Sequence, residues 1–157
     1  MANTLEYFPW YWRGKMSGNT KKLKIYTDGA SRGNPGDAAW AFLILDESGD
    51  PIVKRSGYIG QTTNNQAEYY AVIRALQRAR EFPSERIRLH SDSQLLVKQV
   101  TGQWKVKDPE LKRLHGRVKR EAKGAAKVNF EHVPRDNRYV SQADQLCNDR
   151  LDEIQDK

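Results

Sequence analysis

The order in which strand-like and helix-like apolar patterns follow one another restricts the fold of this chain more than any other feature of its sequence. Three strand-like stretches come first, and stretches rich in turn-forming residues separate them at 29–36 and 46–50. Helix-like and strand-like stretches then alternate. The predicted strands are 23–28, 38–45, 52–59, 87–92 and 128–133, and the predicted helices are one from the capping residues 62–65 to Pro83, one at 93–100, one from Pro109 and one at 141–154.

This order predicts an α/β domain in three layers. Short turns join the first three strands, which therefore form an antiparallel meander, whereas each later strand follows a passage long enough for a crossover and is parallel to the first strand. We expect a five-stranded mixed sheet flanked by helices on both faces. Residues 1–22 precede the pattern and are expected to form an aromatic-rich N-terminal extension, followed by a domain that spans 23–157.

Length and composition exclude several classes of protein. The chain has 157 residues, of which 38% are hydrophobic and 30% charged, as is typical of one globular domain and not of a disordered chain. No apolar run approaches the roughly 20 residues needed to cross a bilayer, and Glu6 argues against a secretory signal. The single cysteine, Cys147, cannot form an internal disulfide and is expected to be a small packing residue. We therefore expect a cytoplasmic protein without a membrane partner.

Positive charge is concentrated in one part of the chain. The net charge is +7, and the stretch 95–127 holds ten basic and three acidic residues, so that the remainder is neutral by formal charge. Such a stretch is either a solvated helix face or a patch that binds a polyanion such as nucleic acid. The sequence leaves both interpretations open.

Four acidic residues are predicted to stand where a strand or a helix meets a loop. Asp28 and Asp92 end the first and fourth strands, which are parallel, so both carboxylates are expected at the same edge of the sheet. Glu68 and Asp144 are expected in the first turns of their helices. Any one of these acids could simply cap an element. Four together suit divalent cations such as Mg²⁺, two of which can clamp the attacking and leaving oxygens of a phosphodiester.

The four acids fall within motifs that resemble those of type 1 ribonuclease H. The motifs are Tyr-Thr-Asp-Gly-Ala-Ser-Arg-Gly-Asn-Pro-Gly at 26–36, Thr-Thr-Asn-Asn-Gln-Ala-Glu at 62–68, Ser-Asp-Ser-Gln at 91–94, and Val-Pro-Arg-Asp-Asn at 133–137 with Ala-Asp-Gln-Leu at 143–146. The resemblance covers about 23–154. It implies a ribonuclease H-like fold and an endonuclease that hydrolyses the RNA strand of RNA/DNA hybrids, leaving 3′-hydroxyl and 5′-phosphate ends.

The same resemblance implies a role for each carboxylate. Asp28 would contact two Mg²⁺ ions, with Mn²⁺ as the alternative metal, and Asp92 and Glu68 would complete the ligand shells. Glu68 would also lie near the attacked RNA, and Asp144 would hold the second ion more loosely. The enzyme is expected to act as a monomer. The competing functions are a module that binds hybrids without cutting them and a related polynucleotidyl transferase.

A hybrid-specific enzyme must sense the 2′-hydroxyl of RNA, which donates and accepts hydrogen bonds as amide side chains do. The resemblance implies that amides beside the carboxylates line the RNA groove, namely Asn34, Asn64, Asn65 and Gln94. Turn and cap chemistry is the alternative for Asn34 and Asn64. Thr63 would hold a DNA phosphate. Trp104 would pack against DNA sugars, unless it only packs against a helix.

The chain departs from the family pattern at two places. Many relatives carry a mobile histidine in the loop before the fourth acid, where this chain has Arg135, which cannot act as a base near neutral pH. We expect Arg135 to steady phosphate charge, and we expect His132 to face the sheet. The loop is also shorter than in many bacterial relatives, and the added basic handle helix is missing.

The extension is the second departure. It holds five aromatic residues within 7–12, but it is too short for the hybrid-binding domain that some relatives carry at their N-terminus. It could dock on the core, stack on nucleic acid or form an interface. Docking is the favoured interpretation because exposed aromatic clusters are usually covered.

Overall fold

The computed structural model describes residues 5–6 and 22–156. The helices and strands, numbered in chain order, are Leu5–Glu6 (β1), Lys22–Gly33 (β2), Gly36–Leu45 (β3), Pro51–Thr62 (β4), Asn64–Ala79 (α1), Arg86–Ser91 (β5), Gln94–Val100 (α2), Pro109–Ala125 (α3), Lys127–His132 (β6) and Arg138–Gln155 (α4). No helix among these residues is long and apolar enough to cross a membrane.

The strands form one mixed sheet in the order β1-β4-β3-β2-β5-β6. The five predicted strands are all present, with β2, β3 and β4 antiparallel and β2, β5 and β6 parallel, as expected. A two-residue strand, β1, adds to the edge by pairing with β4. The first predicted strand, 23–28, begins one residue earlier, at Lys22. The aromatic cluster at 7–12 lies outside the described residues.

Alternation along β3 shows how the two faces of the sheet are covered. Phe42 and Ile44 belong to a core cluster with residues of α1 and α3, whereas Ala41 and Leu43 pack against residues of α4. Helices therefore flank both faces, as predicted. Cys147 of α4 is fully buried in the second cluster, which agrees with a packing role.

The first long strand differs from the prediction. The turn expected at 29–36 is confined to residues 34–35, because β2 continues to Gly33 through antiparallel pairing with β3. Its parallel pairing with β5 ends earlier, at Tyr26 and His90. Asp28 therefore does not end a strand, as we expected. It lies within β2, two residues beyond the parallel pairing, where the neighbouring strand no longer covers it.

Capping residues set the starts of the helices. Thr63 caps α1, since its side chain accepts a hydrogen bond from the backbone amide of Gln66 at 3.2 Å. The Asn137 side chain caps α4, which starts at residue 138 and not at 141 as predicted. Consequently Glu68 is the fifth residue of α1 and Asp144 the seventh of α4. Both lie one turn further into their helices than the sequence pattern indicated.

Candidate active site

A cavity of about 440 Å³ opens where the parallel strands end, beside the starts of α1 and α4. Each of the four acids comes from a different part of the fold, because Asp28 lies within β2, Glu68 in α1, Asp92 directly after β5 and Asp144 in α4. All four line the cavity. The remaining lining residues are Gly29, Ala30, Asn64, Ser93, Arg135, Val140 and Ser141.

Three of these carboxylates are brought into direct proximity. One oxygen each of Asp28, Glu68 and Asp92 lies within 4.8 Å of the others. Asp28 and Glu68 are each only 6% exposed, and Asp92 is half-buried. Asp144 shares the cavity but is not part of this closest group. Oxygen ligands at this separation form the donor set that hard divalent cations prefer, so the residues fit such an ion.

The buried position of Glu68 depends on Gly29. The Gly29 amide donates a hydrogen bond to a carboxylate oxygen of Glu68 at 2.7 Å. A Cβ atom on Gly29 would lie 2.2 Å from the carbonyl carbon of Ala67, so only glycine lets α1 approach β2 this closely. The sequence pattern had suggested only a turn at Gly29. The structure adds a contact that aims a carboxylate at the cavity.

The electrostatics of the group favour a bound cation. Burial, and next the charges of Glu68, Asp92 and Asp144, raise the pKa of Asp28 to about 10. Burial is also the main cause that raises the pKa of Glu68 well above its ordinary value, although the Gly29 amide opposes the shift. The pKa of Asp92 is raised by burial as well. Negative charge on these three carboxyls is therefore disfavoured without a cation, and a divalent cation would compensate it.

Asp144 is oriented by residues that the sequence motifs did not point to. The Asn148 side-chain amide donates to the Asp144 carbonyl oxygen at 3.1 Å and to a carboxylate oxygen at 3.4 Å. Arg32 in turn donates to Asn148 and pairs with Asp152 at 2.7 Å. A guanidinium of β2 thus ties α4 to the sheet behind Asp144. The spacing of four residues between Asp144 and Asn148 was the only trace of this contact in the sequence.

Three of the predicted groove amides lie at the starts of α1 and α2, and Asn34 lies in the turn between β2 and β3. Asn34 accepts a hydrogen bond from the Asn64 backbone amide at 3.0 Å, so its cap-like role is present. Asn64 lines the cavity. Asn65 and Gln94 are exposed near the starts of α1 and α2. These side chains have free surface toward a ligand.

Trp104 lies in the loop after α2 and is 46% exposed. Nearly half of its surface is therefore accessible to a ligand. The neighbouring basic residues Lys105 and Lys107 are exposed in the same loop, and Lys112 is exposed on α3. The loop and α3 thus present aromatic and cationic surface side by side.

Two basic residues, Arg135 and His132, lie near Asp92. Arg135 lines the cavity, and its charge opposes the rise in the pKa of Asp92. His132 was expected to face the sheet, and this was wrong, because it is exposed at the end of β6. One ring nitrogen of His132 lies 3.2 Å from the Asp92 carbonyl oxygen. The last side chain of a strand can turn toward solvent even where the alternation of side chains along the strand predicts that it faces the sheet.

Comparison with known proteins links this geometry to one family. A family model described as "Reverse transcriptase-like" matches residues 26–149. A curated protein named "Ribonuclease HI" from Halobacterium salinarum is 42% identical over 132 residues, which are 84% of this chain and 65% of that protein. The "Bifunctional protein Rv2228c" from Mycobacterium tuberculosis is 38% identical over 83% of this chain and 36% of its own length. The chain thus spans under two thirds of the first relative and about a third of the second.

Solved structures are similar over nearly their whole length. The crystal structure of RNase H1 from Halobacterium salinarum has a TM-score of 0.80 and 42% identity, with coverage of 84% of this chain and 98% of that one. The structure of LC11-RNase H1 in complex with an RNA/DNA hybrid has a TM-score of 0.79 and 37% identity. It covers 85% of this chain and 99% of that one.

Proposed function

This chain belongs to the type 1 ribonuclease H family, and from that membership and its carboxylate cluster we propose that it hydrolyses the RNA strand of RNA/DNA hybrids. The observation that supports the proposal most directly is the approach of Asp28, Glu68 and Asp92 oxygens to within 4.8 Å of one another. A protein that only bound hybrids would gain nothing from buried, mutually repelling carboxylates. The relative with bound RNA/DNA hybrid supports the substrate class.

The four carboxylates would hold two divalent cations, Mg²⁺ or alternatively Mn²⁺. Asp28 would contact both ions, Glu68 and Asp92 would complete the ligand shells, and Asp144, which lines the same cavity outside the closest group, would hold the second ion more loosely. Bound cations of this kind supply positive charge for the attacking water and the leaving oxygen of a phosphodiester. Glu68 also lies near the attacked RNA, and its Gly29 hydrogen bond keeps it in place.

The remaining site residues of the proposal bind and orient the hybrid. The amides Asn34, Asn64, Asn65 and Gln94 recognise the RNA groove, where an amide can donate to and accept from a 2′-hydroxyl. Thr63 holds a phosphate of the DNA strand, and Trp104 packs against DNA sugars. Arg135 steadies phosphate charge beside Asp92.

Hydrolysis leaves a 3′-hydroxyl and a 5′-phosphate. One chain supplies all four carboxylates, so a monomer suffices for activity. A reducing cytoplasm is the compartment that fits the single, buried cysteine.

The experiment that tests the proposal uses labelled RNA/DNA, RNA/RNA and DNA/DNA duplexes of one sequence, with Mg²⁺, Mn²⁺ or a chelator. We expect cleavage of the RNA strand in the hybrid only, dependent on metal, with products that a ligase can join at the 3′-hydroxyl. Tight hybrid binding without cleavage would indicate a binding module instead. Cleavage or joining of DNA strands would indicate a polynucleotidyl transferase.

A further inference from the structure

One face of β5 and β6 carries a group of basic residues that the proposed function does not use. Ile87, Leu89, Val128 and Phe130 contribute to the core on the side of α1 and α3. Their neighbours in sequence therefore point to the other side of the sheet, where the main contacts of α4 are with β2, β3 and β4. We call the resulting surface the open basic face; it consists of Lys22, Lys24, Arg86, Arg88, Lys127 and Asn129.

The register of the three strands aligns these residues in regular rows. Lys22 lies opposite Arg86, which lies opposite Lys127, and in the next row Lys24 lies opposite Arg88, which lies opposite Asn129. Adjacent strands are about 4.8 Å apart, and rows repeat at about 6.6 Å. Five cations thus occupy an area three strands wide and two rows deep. Four of these cations, all but Lys127, line a cavity of about 320 Å³ together with Leu23, Glu47 and Asn129.

The open basic face carries an excess of positive charge, since two carboxylates, Glu131 and Glu47, lie near its five cations. Arg88 has a carboxylate neighbour, Glu131, at 3.7 Å. Among residues 22–156, no carboxylate lies within ion-pair distance of Lys22, Lys24, Arg86 or Lys127. Like charges at these spacings repel unless counterions or a polyanion neutralise them. A phosphodiester backbone is the complementary partner.

The open basic face lies on the same side of the sheet as Asp28. Side chains alternate along a strand, so the side of β2 that carries Lys24 also carries Tyr26 and then Asp28. Asp28 is four residues from Lys24, or about 13 Å along the strand. Between them, the stacked rings of Tyr26 and His90 are buried, with Tyr139 against Tyr26 and Glu131 against His90. A strand that passes from the carboxylates to the basic rows stays on this side of the sheet and runs over Tyr139 and Glu131.

The basic residues of α3 cannot serve the same segment of nucleic acid. This helix packs on the opposite side of the sheet, where Leu114 and Val118 join the core with α1. If the Trp104 loop and α3 bind the duplex, the open basic face can bind a different, flexible segment of the nucleic acid. The cleaved strand is the one whose phosphodiester lies against Asp28.

We propose that the open basic face binds single-stranded RNA that continues the cleaved strand beyond the end of the hybrid. The inference rests on the proposed function, because only a hybrid placed at Asp28 directs an RNA tail toward this face. None of the six residues that define the face is aromatic, so it holds the backbone and not particular bases. The enzyme thereby prefers hybrids that end in an RNA overhang.

The test compares two variants that each lose one lysine and one arginine. The face variant is Lys22→Gln/Arg86→Gln, and the matched control is Lys54→Gln/Arg74→Gln, on β4 and α1. Binding is measured with divalent cations chelated, on a blunt hybrid and on the same hybrid with a 5′ or a 3′ single-stranded RNA tail. Single-turnover cleavage of the blunt hybrid is measured for all three proteins.

We expect the wild type to bind one tailed hybrid more tightly than the blunt one. The face variant should lose about 4- to 25-fold in affinity for that tailed hybrid, at about two- to fivefold for each exposed contact. Its log–log salt slope should fall by about 1.4, since each lost contact to a single strand removes about 0.7. Its binding and cleavage of the blunt hybrid should stay unchanged, and the control should match the wild type.

Several results would overturn the inference. Equal binding of tailed and blunt hybrids by the wild type, or an equal loss in the control variant, would remove RNA tails as the occupant. A charge-dependent dimer in sedimentation would assign the face to a second copy, and a lower Tm of the face variant would assign it to a segment of this chain. If even the blunt hybrid is not cleaved, the proposed function itself fails; cleavage without a tail effect refutes only the present inference.

Discussion

Replacing Asp28 by asparagine should make the metal-free protein more stable at neutral pH. Asp28 is buried beside Glu68 and Asp92, and burial together with these charges raises the pKa of Asp28 to about 10 from an ordinary value of 3.8. The folded protein therefore keeps a proton that the unfolded chain releases. The sign follows from this difference: the free energy of unfolding falls as the pH rises above about 4.

The size of the effect at pH 7 has an upper limit. A pH of 7 is about 3 units above the pKa of this carboxyl in the unfolded chain, and each unit corresponds to about 1.4 kcal/mol. Keeping Asp28 protonated therefore costs the folded protein at most about 4 kcal/mol. Asparagine keeps the shape of Asp28 and removes the charge, but it loses part of the hydrogen bonding of the carboxyl. We expect a gain of about 1–3 kcal/mol. In a domain of this size that gain raises Tm by about 2–12 °C.

Urea unfolding between pH 5 and pH 9 in the presence of a chelator measures this gain. The wild type should lose stability as the pH rises, and Asp28→Asn should lose less. Asp149→Asn, on the same helix as Asp144 but outside the cavity, is the matched control and should follow the wild type. Saturating Mg²⁺ should stabilise the wild type more than Asp28→Asn. A wild-type stability that does not change with pH, or an Asp28→Asn protein that is less stable throughout, would refute the reasoning.

Three further predictions concern the surroundings of the carboxylates. Gly29→Ala should destabilise the fold by about 2 kcal/mol or more, because the added Cβ collides with α1, and unchanged urea unfolding would contradict this close contact. Arg135→Ala should slow single-turnover cleavage by about tenfold, with Arg135→Lys retaining more activity; wild-type rates in the alanine variant across pH would remove Arg135 from the mechanism. Lys105→Gln and Lys107→Gln should each reduce the log–log salt slope of duplex binding by up to about 0.9, whereas an unchanged slope would make this stretch a solvated surface.

The sequence predicted that the four acids lie together, as they do around one cavity, because each lies in a contiguous motif with a strong local pattern. Asp92 follows an apolar strand and precedes a capped helix, and that short context is enough to place it at the end of β5. The parallel arrangement of β2 and β5 follows from the length of the connection between them. Local pattern and chain connectivity together therefore bring Asp28 and Asp92 to the same edge.

What the sequence did not predict depends on contacts between distant segments. β2 continues past Gly29 because β3 pairs with it there, and this pairing overrides the turn-forming residues. α4 begins at residue 138 because Asn137 caps it, and the weaker apolar pattern of its first turn had hidden that start. The link from Arg32 through Asn148 to Asp144 spans more than a hundred residues of chain. No local pattern encodes such a contact.

The open basic face shows the same limit. Lys22, Arg86 and Lys127 are far apart in the sequence, and each alone is an ordinary surface cation at the start of a strand. Only the register of three parallel strands places them in one row. The basic stretch at 95–127, in contrast, was evident from the sequence because its charges lie within one short segment of the chain.

Single-turnover cleavage of an RNA/DNA hybrid by Asp92→Asn tests the central claim most directly, with Asp149→Asn as the control. Asparagine preserves the shape of the side chain and removes one of the three charges that lie within 4.8 Å of one another. We predict that Asp92→Asn folds, binds the hybrid as tightly as the wild type, binds Mg²⁺ more weakly by calorimetry, and cleaves at least about 10²- to 10³-fold more slowly. A folded Asp92→Asn protein that cleaves the hybrid at the wild-type rate would contradict the assignment of this cluster as the metal-binding catalytic centre.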